Sequence, residues 1–176
     1  MSGLFDSNPR YGALARVLHW SMALLLAWQF VTVLAHVYME GSDLDRLAWA
    51  THKEMGLVLM GLALIRVLWA LVDRKRPAPV SVMARLGHLV LYVLMLVVPA
   101  VALLRQYGSG REFIAFGYSV MPGFDTGKIE WMLTPGNLLH GNLGWVMLAL
   151  VVGHVAMVFV HRRVAGGDVL ARMIGR

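Results

Sequence analysis

The sequence predicts an all-α integral membrane protein, a four-helix bundle with both termini cytoplasmic. Three observations carry that prediction. The chain is 59% hydrophobic and only 15% charged, where a soluble domain has about 25% charged residues. Four long runs are nearly free of charge, and each is long enough to cross the hydrocarbon core of a bilayer. The lysines and arginines fall in blocks between those runs. With 176 residues, residues 1–176 read as one transmembrane domain with spans at roughly 14–38, 52–73, 85–105 and 138–161.

Met1 to Asn8 reads as a lead-in, with Pro9 in the first turn of a helix and Asn8 or Ser7 as its cap. The polar N-terminus, and a first apolar run without a small-residue cleavage site, predict no secretory leader. The first charge-free run is Val17 to Met39, 23 residues, enough to cross with some tilt. Trp20, Trp28 and Tyr38 lie along it, and aromatic residues at span ends anchor at the interface.

Glu40 to Ala50, EGSDLDRLAWA, reads as a short acidic loop, with Thr51 or Ser42 capping the second helix. The second span is His52 to Val72. Lys53 and Glu54 mark its entry, and Asp73, Arg74, Lys75 and Arg76 its exit. Arg66 lies inside it, less than two turns from the basic exit. Its simplest role is snorkelling to the interface. The alternative is contact with a propionate or a quinone. Arg74 to Arg85 is a proline-containing connector. The third run, Leu86 to Leu104, has 19 residues, and Pro99 is expected to kink it. Arg105 to Asn137, 33 residues, is the longest loop. Its Phe113, Phe116, Tyr118, Phe124 and Trp131 lay it on the membrane surface, over one end of the bundle. The fourth run, Leu138 to Val160, leads into a basic tail.

Lysine and arginine set the orientation. Ten lie at the termini and middle connector and five on the other side (Arg46, Lys53, Arg105, Arg111 and Lys128), with Arg66 near the richer side. The excess puts the termini in the cytoplasm. Counting Glu54, the outer side has seven of the ten acidic residues. The net charge of +6 is thus explained by basic membrane edges, and nucleic acid is not an expected partner.

Orientation sorts the histidines by depth. His140 and His154 are fourteen residues apart, four helical turns less about 40°, so they leave one face of one helix about 21 Å apart. His52 matches His140 in depth on the outer side, and His19 matches His154 on the inner side. Two opposed imidazoles across a bundle are what a six-coordinate haem b needs. Gly56 and Gly144 each follow a histidine by four residues, where a porphyrin edge needs clearance. His88 competes with His19 as partner of His154, or bonds a propionate or quinone. His36 and His161 end their spans and read as interfacial. Tyr92 and the methionines read as packing. The chain has no cysteine, which removes disulfides, iron–sulfur clusters and covalent c-type haem. No two histidines are spaced i, i+4, and the spans lack carboxylates, so zinc and di-iron sites are disfavoured.

Five pieces resemble a known family in the right order: R-x-L-H-W at Arg16 to Trp20, H-x-x-x-G at His52 to Gly56, LGHLVLY at Leu86 to Tyr92, AFG then MP at Ala115 to Gly117 and Met121 to Pro122, and the paired histidines of span four. The chain resembles the prokaryotic cytochrome b561 family, small four-span di-haem proteins of the bacterial inner membrane. The resemblance implies two haem b groups with His19 and His154 as axial iron ligands on the cytoplasmic side and His52 and His140 on the outer side. It implies electron exchange with the quinone pool, and an activity like superoxide oxidase, from superoxide to ubiquinone. Arg46, Lys53, Arg105 and Arg111 are then candidates to attract the anion, though as interfacial residues they also simply balance the outer acids. A haem subunit serving a partner dehydrogenase is the related alternative. A cofactor-free membrane transporter or scaffold is the alternative of another class.

Overall fold

Within a bilayer every backbone N–H and C=O must be bonded inside its own segment or a closed barrel, and this chain takes the helical solution. The computed structural model describes residues 5–6, 10–73, 81–164 and 169–174. Its elements in order are α1 (Ala13–Tyr38), α2 (Asp43–Val72), α3 (Val82–Gly108), β1 (Phe113–Ala115), β2 (Tyr118–Met121), α4 (Glu130–Val164) and a short α5 (Val169–Ile174). Four of the helices are long and apolar enough to cross a membrane. Large apolar side chains such as Leu24, Leu68, Val152 and Phe159 point outward. A surface of this kind needs lipid rather than water around it.

The four helices alternate in direction. α1 packs along α2 and α3 along α4, with slighter contact between α2 and α3. The segments before α1 and after α4 meet at one end of the bundle, here the tail end, where the Tyr11 N–H donates to the Arg172 carbonyl at 3.3 Å. The opposite, hairpin end is where β1 and β2 lie. The core sits midway between: Met22 and Leu26 of α1, Leu59 and Ala63 of α2, Leu94 and Val98 of α3, and Met147 of α4.

The helices are longer than the charge-free runs, for identifiable reasons. The acidic stretch expected as a loop is instead the first turns of α2. Ser42 caps it by accepting the Asp45 N–H at 3.1 Å, and Asp43 and Asp45 in the first turn suit the positive end of the helix dipole. Thr51 is inside the helix and caps nothing. α3 begins after Ser81, which accepts the Ala84 N–H at 3.1 Å, and it continues through Pro99 to Gly108. Gly12, not Ser7 or Asn8, stands at the N-cap of α1. Ser7, Asn8 and Pro9, like the basic cluster Arg74 to Arg76, lie outside the described residues.

α4 starts at Glu130, ahead of the expected Leu138. A T-P-G sequence reads as loop locally, but two glycines let α4 pack against α3 from its first turns. A Cβ on Gly136 would strike the Arg105 Cβ and come within 2.7 Å of the Val101 carbonyl. One on Gly108 would lie 2.5 Å from the Met132 Cβ. The expected 33-residue loop therefore shrinks to 109–129, and half of that folds as the hairpin. Its two-residue turn, Phe116 and Gly117, has φ of 52° and 80°, the left-handed pair that matches strand twist in a tight hairpin. Phe116 N–H donates to Glu54 Oε1 at 3.0 Å, which ties the hairpin to α2.

Gly136→Val should overpack the α3–α4 contact and cost about 1–3 kcal/mol, seen as a lower unfolding midpoint of the detergent-solubilised protein. Gly61→Ala, at a helical position where a Cβ meets nothing within 4 Å, should leave the midpoint unchanged or raise it.

Candidate functional site

α4 carries His140, Met147 and His154 at seven-residue intervals, close to two turns each, so all three lie on one face. Met147 is in the core, so the histidines above and below it face the bundle interior too. At the hairpin end the His140 ring meets that of His52 from α2, with centroids 6.1 Å apart and planes at 89°. At the tail end His154 meets His19 from α1 at 6.4 Å and 59°. The structure brings together the pairs that depth alone had matched.

The hairpin-end pair is held by hydrogen bonds that fix where its protons sit. Thr32, fully buried, donates its one hydroxyl hydrogen to the Gln29 carbonyl at 2.7 Å. Its oxygen can then only accept, so the His52 Nδ1–H donates to it, at 2.7 Å. His140 Nδ1 lies 3.0 Å from the Val98 carbonyl, an acceptor only, so it too carries its proton on Nδ1. In both rings the Nε2 lone pair is left over. This is the tautomer and outer-shell bonding usual for a histidine that binds a metal.

The ring spacing can be tested against a shared metal. A metal–imidazole bond is about 2 Å and the ring nitrogen is about 1 Å from the ring centre, so two imidazoles opposed across one metal have centroids about 6 Å apart. Both pairs fit. His88 fits less well: its ring centroid is 5.2 Å from that of His154, short of that span. Among the described residues no group of three or more His, Cys, Asp or Glu could hold a metal ion in the usual way, so the donor set suits a cofactor that supplies its own equatorial ligands.

The two glycines differ. Beside Gly144 a Cβ would meet nothing within 4 Å, consistent with clearance for a bulky group. Gly56 has another role: a Cβ there would lie 2.8 Å from Gln29 Nε2. That amide donates to the His52 carbonyl at 3.0 Å, and Gln29 Oε1 is buried without a partner among the described residues.

Arg66 does not snorkel. Its Nε donates to the Tyr92 hydroxyl at 2.8 Å, and one of its terminal nitrogens donates to the Ala15 carbonyl of α1. The guanidinium is thus bonded between α1 and α3 at the level of the tail-end histidines, and Tyr92 is its partner rather than packing alone. A charge inside a membrane span is costly, and these bonds offset part of that cost.

The four cations that the sequence assigned to the outer side separate. Arg46 is 2.5 Å from Asp43 and bonds the Gly41 carbonyl, so its charge is matched. Lys53 donates to Gln106 Oε1 at 3.1 Å, and Gln106 in turn bonds the Arg111 carbonyl. Arg105 and Arg111 lie near enough to act on the Lys53 charge. Lys53, next to His52 in sequence, thus shares its surroundings with Arg105 and Arg111.

Sequence reasoning missed Thr32, Gln29, the Val98 carbonyl and Trp49. Gln29 and Thr32 carried a usable signal: two polar residues three apart inside a charge-free span, where polar groups are costly. His36 and Trp49 carried none, because their contact is made between two helices. His161 remains peripheral, its Nδ1 bonded to the Met157 carbonyl one turn earlier.

Comparison with known proteins bears on what occupies such a site. A family model described as prokaryotic cytochrome b561 matches residues 10–176. The chain is 30% identical over 187 aligned residues to cytochrome b561 homolog 2 of Escherichia coli (strain K12), covering 98% of this chain and 95% of that protein. It is 25% identical over 177 residues to the probable superoxide oxidase CybB of Yersinia pestis, covering 95% and 97%. A cofactor-free transporter or scaffold is thereby displaced. Opposed imidazoles inside an apolar bundle and a family match over nearly the whole length agree, and the chain belongs to the prokaryotic cytochrome b561 family of bacterial haem b membrane proteins.

Proposed function

We propose that the chain is a di-haem b cytochrome of the inner membrane that exchanges electrons with the quinone pool, acting as a superoxide:ubiquinone oxidoreductase. His52 and His140 would hold one haem at the outer, hairpin end, and His19 and His154 would hold the other at the cytoplasmic, tail end. The observation that carries this reading is the recurrence of one geometry: imidazole pairs with centroids 6.1 and 6.4 Å apart on a single face of α4. The orientation rests on the lysine and arginine excess around the termini.

Haem b with two imidazole ligands supplies reversible one-electron storage and leaves no iron position open to oxygen. The chain does the rest. Thr32 and the Val98 carbonyl hold protons on Nδ1 and leave Nε2 free to ligate. The Met22, Leu26, Leu59, Leu94 and Met147 layer excludes water between the sites. Arg66, held by Tyr92, would offer its remaining N–H groups to a propionate carboxylate, with His88 as a second polar group. Lys53, Arg105 and Arg111 draw an anion toward the outer site. In balance, two superoxide anions give up one electron each and leave as two dioxygen molecules, and one ubiquinone takes two electrons and two protons. The similarity to a protein named as a probable superoxide oxidase supports this choice of donor.

His52→Ala should retain one haem per chain where the parent has two, read from the pyridine haemochrome of the purified protein. Two haems in that variant would sink the ligand assignment.

Mixing the oxidised holoprotein with superoxide in a stopped-flow cell should reduce haem within the mixing timescale, and added ubiquinone should reoxidise it. Reduction should slow several-fold in Lys53→Gln/Arg111→Gln at low salt, and the difference should shrink at about 0.5 M salt as screening sets in. Haem that stays oxidised under superoxide would point instead to a subunit serving a partner dehydrogenase.

A further inference from the structure

His52 is gripped on more than its Nδ1. Trp49, three residues earlier on α2, lies on the face of its ring with centroids 4.8 Å apart and planes at 21°. The other face of Trp49 carries His36, the end of α1, at 3.9 Å and 9°. His36 in turn donates from Nδ1 to Asp45 Oδ1 at 2.9 Å, and Asp45 Oδ2 accepts the Gly41 N–H at 2.9 Å. Asp45 is buried and fixed at the capped start of α2. The result is a column of three stacked rings, anchored at its outer end by a buried carboxylate and ending on an imidazole.

A column like this does something a hydrogen bond cannot. The bond from Nδ1 to Thr32 fixes the axis of the His52 ring, but a single bond along the ring edge leaves the ring free to rock about it. A flat indole against the ring face removes that freedom. The plane so fixed is at 89° to the plane of His140. Two imidazoles on one iron have no strong preference for crossing at right angles, so a perpendicular pair has to be imposed by the protein. At the tail end, where the planes meet at 59°, His19 touches Trp20 only edge-on, at 79°, and among the described residues no ring lies flat on it.

We propose that Trp49, backed by His36 and Asp45, is the positioning residue that sets the perpendicular ligand planes of the hairpin-end site. This rests on the assignment of His52 and His140 to one iron. Perpendicular planes leave two of the iron d orbitals nearly equal in energy. The oxidised site then gives a highly anisotropic low-spin resonance, displaced to higher g than that of a site with more parallel planes.

The test is electron paramagnetic resonance of the oxidised holoprotein, with haem content measured on the same samples. The parent should show two low-spin signals, the higher-g one lost in His140→Ala. In Trp49→Leu that signal should move to lower g at unchanged haem content, while the other stays in place. Trp49→Phe, which keeps a flat ring, should restore it. If Trp49→Leu sheds a haem, His36→Ala decides: it keeps Trp49 on His52 but removes its backing, and it should shift the same signal by a smaller amount with both haems retained. Parent-like spectra in His36→Ala and in every Trp49 variant that retains both haems would overturn the column's role and leave the ligand assignment standing. A parent with one haem would instead remove the assignment itself.

Discussion

The structure depends on how each imidazole of the hairpin-end pair divides its two nitrogens. One is tied to an acceptor that can only accept, and the other is left with its lone pair free. Thr32 can fix His52 this way only because its own hydrogen is spent on Gln29. Val98 can fix His140 only because a carbonyl has no proton to give. In lipid such bonds have no water to compete with them, and an unbonded ring nitrogen would be costly. The same bonds that make a buried histidine tolerable fix it in one tautomer. α1 and α3 supply the acceptors, so the site needs all four helices although only α2 and α4 carry the rings.

The vertical order of the bundle comes from a seven-residue repeat on two helices. α4 presents His140, Met147 and His154, and α2 presents His52, Leu59 and Arg66. Level by level this gives an imidazole layer, an apolar layer and a second polar layer. Met147 and Leu59 belong to one core cluster with Met22, Leu26, Leu94 and Val98. Seven residues fall about 20° short of two full turns, so over two repeats the stripe drifts by about 40°, little enough to keep one face inward.

Much of this was legible in the sequence because charge and hydropathy act locally. Four spans, the shared face of His140 and His154, and the matched depths of His52 and His19 need only spacing and the helical repeat. The features that were not legible depend on a neighbour. EGSDLDRLAWA read as loop because its polarity says surface, whereas the Ser42 cap makes it helix. Arg66 read as snorkelling because its partner Tyr92 is on another helix. Gly56 read as room for a ring, and only the packed position of Gln29 shows what it admits. T-P-G read as a break, yet Gly136 is where α4 packs most closely on α3.

The apolar middle layer has a consequence for energetics once electrons move between the two levels. Fourteen helical residues separate them by about 21 Å, most of a hydrocarbon core about 30 Å thick. The core cluster at that level is apolar, so on the proposed di-haem reading an electron crossing it would meet no proton carrier within that cluster. Its charge would then be uncompensated along the path and would work against, or with, the membrane potential. The full drop is about 2.3 kcal/mol per charge at 100 mV, and two-thirds of it is about 1.5 kcal/mol, roughly tenfold in an equilibrium. Arg66 bears on the same balance. On the same reading a fixed cation at the tail-end level would lower the energy of an electron arriving there, which would give a residue whose burial costs stability a reason to be where it is.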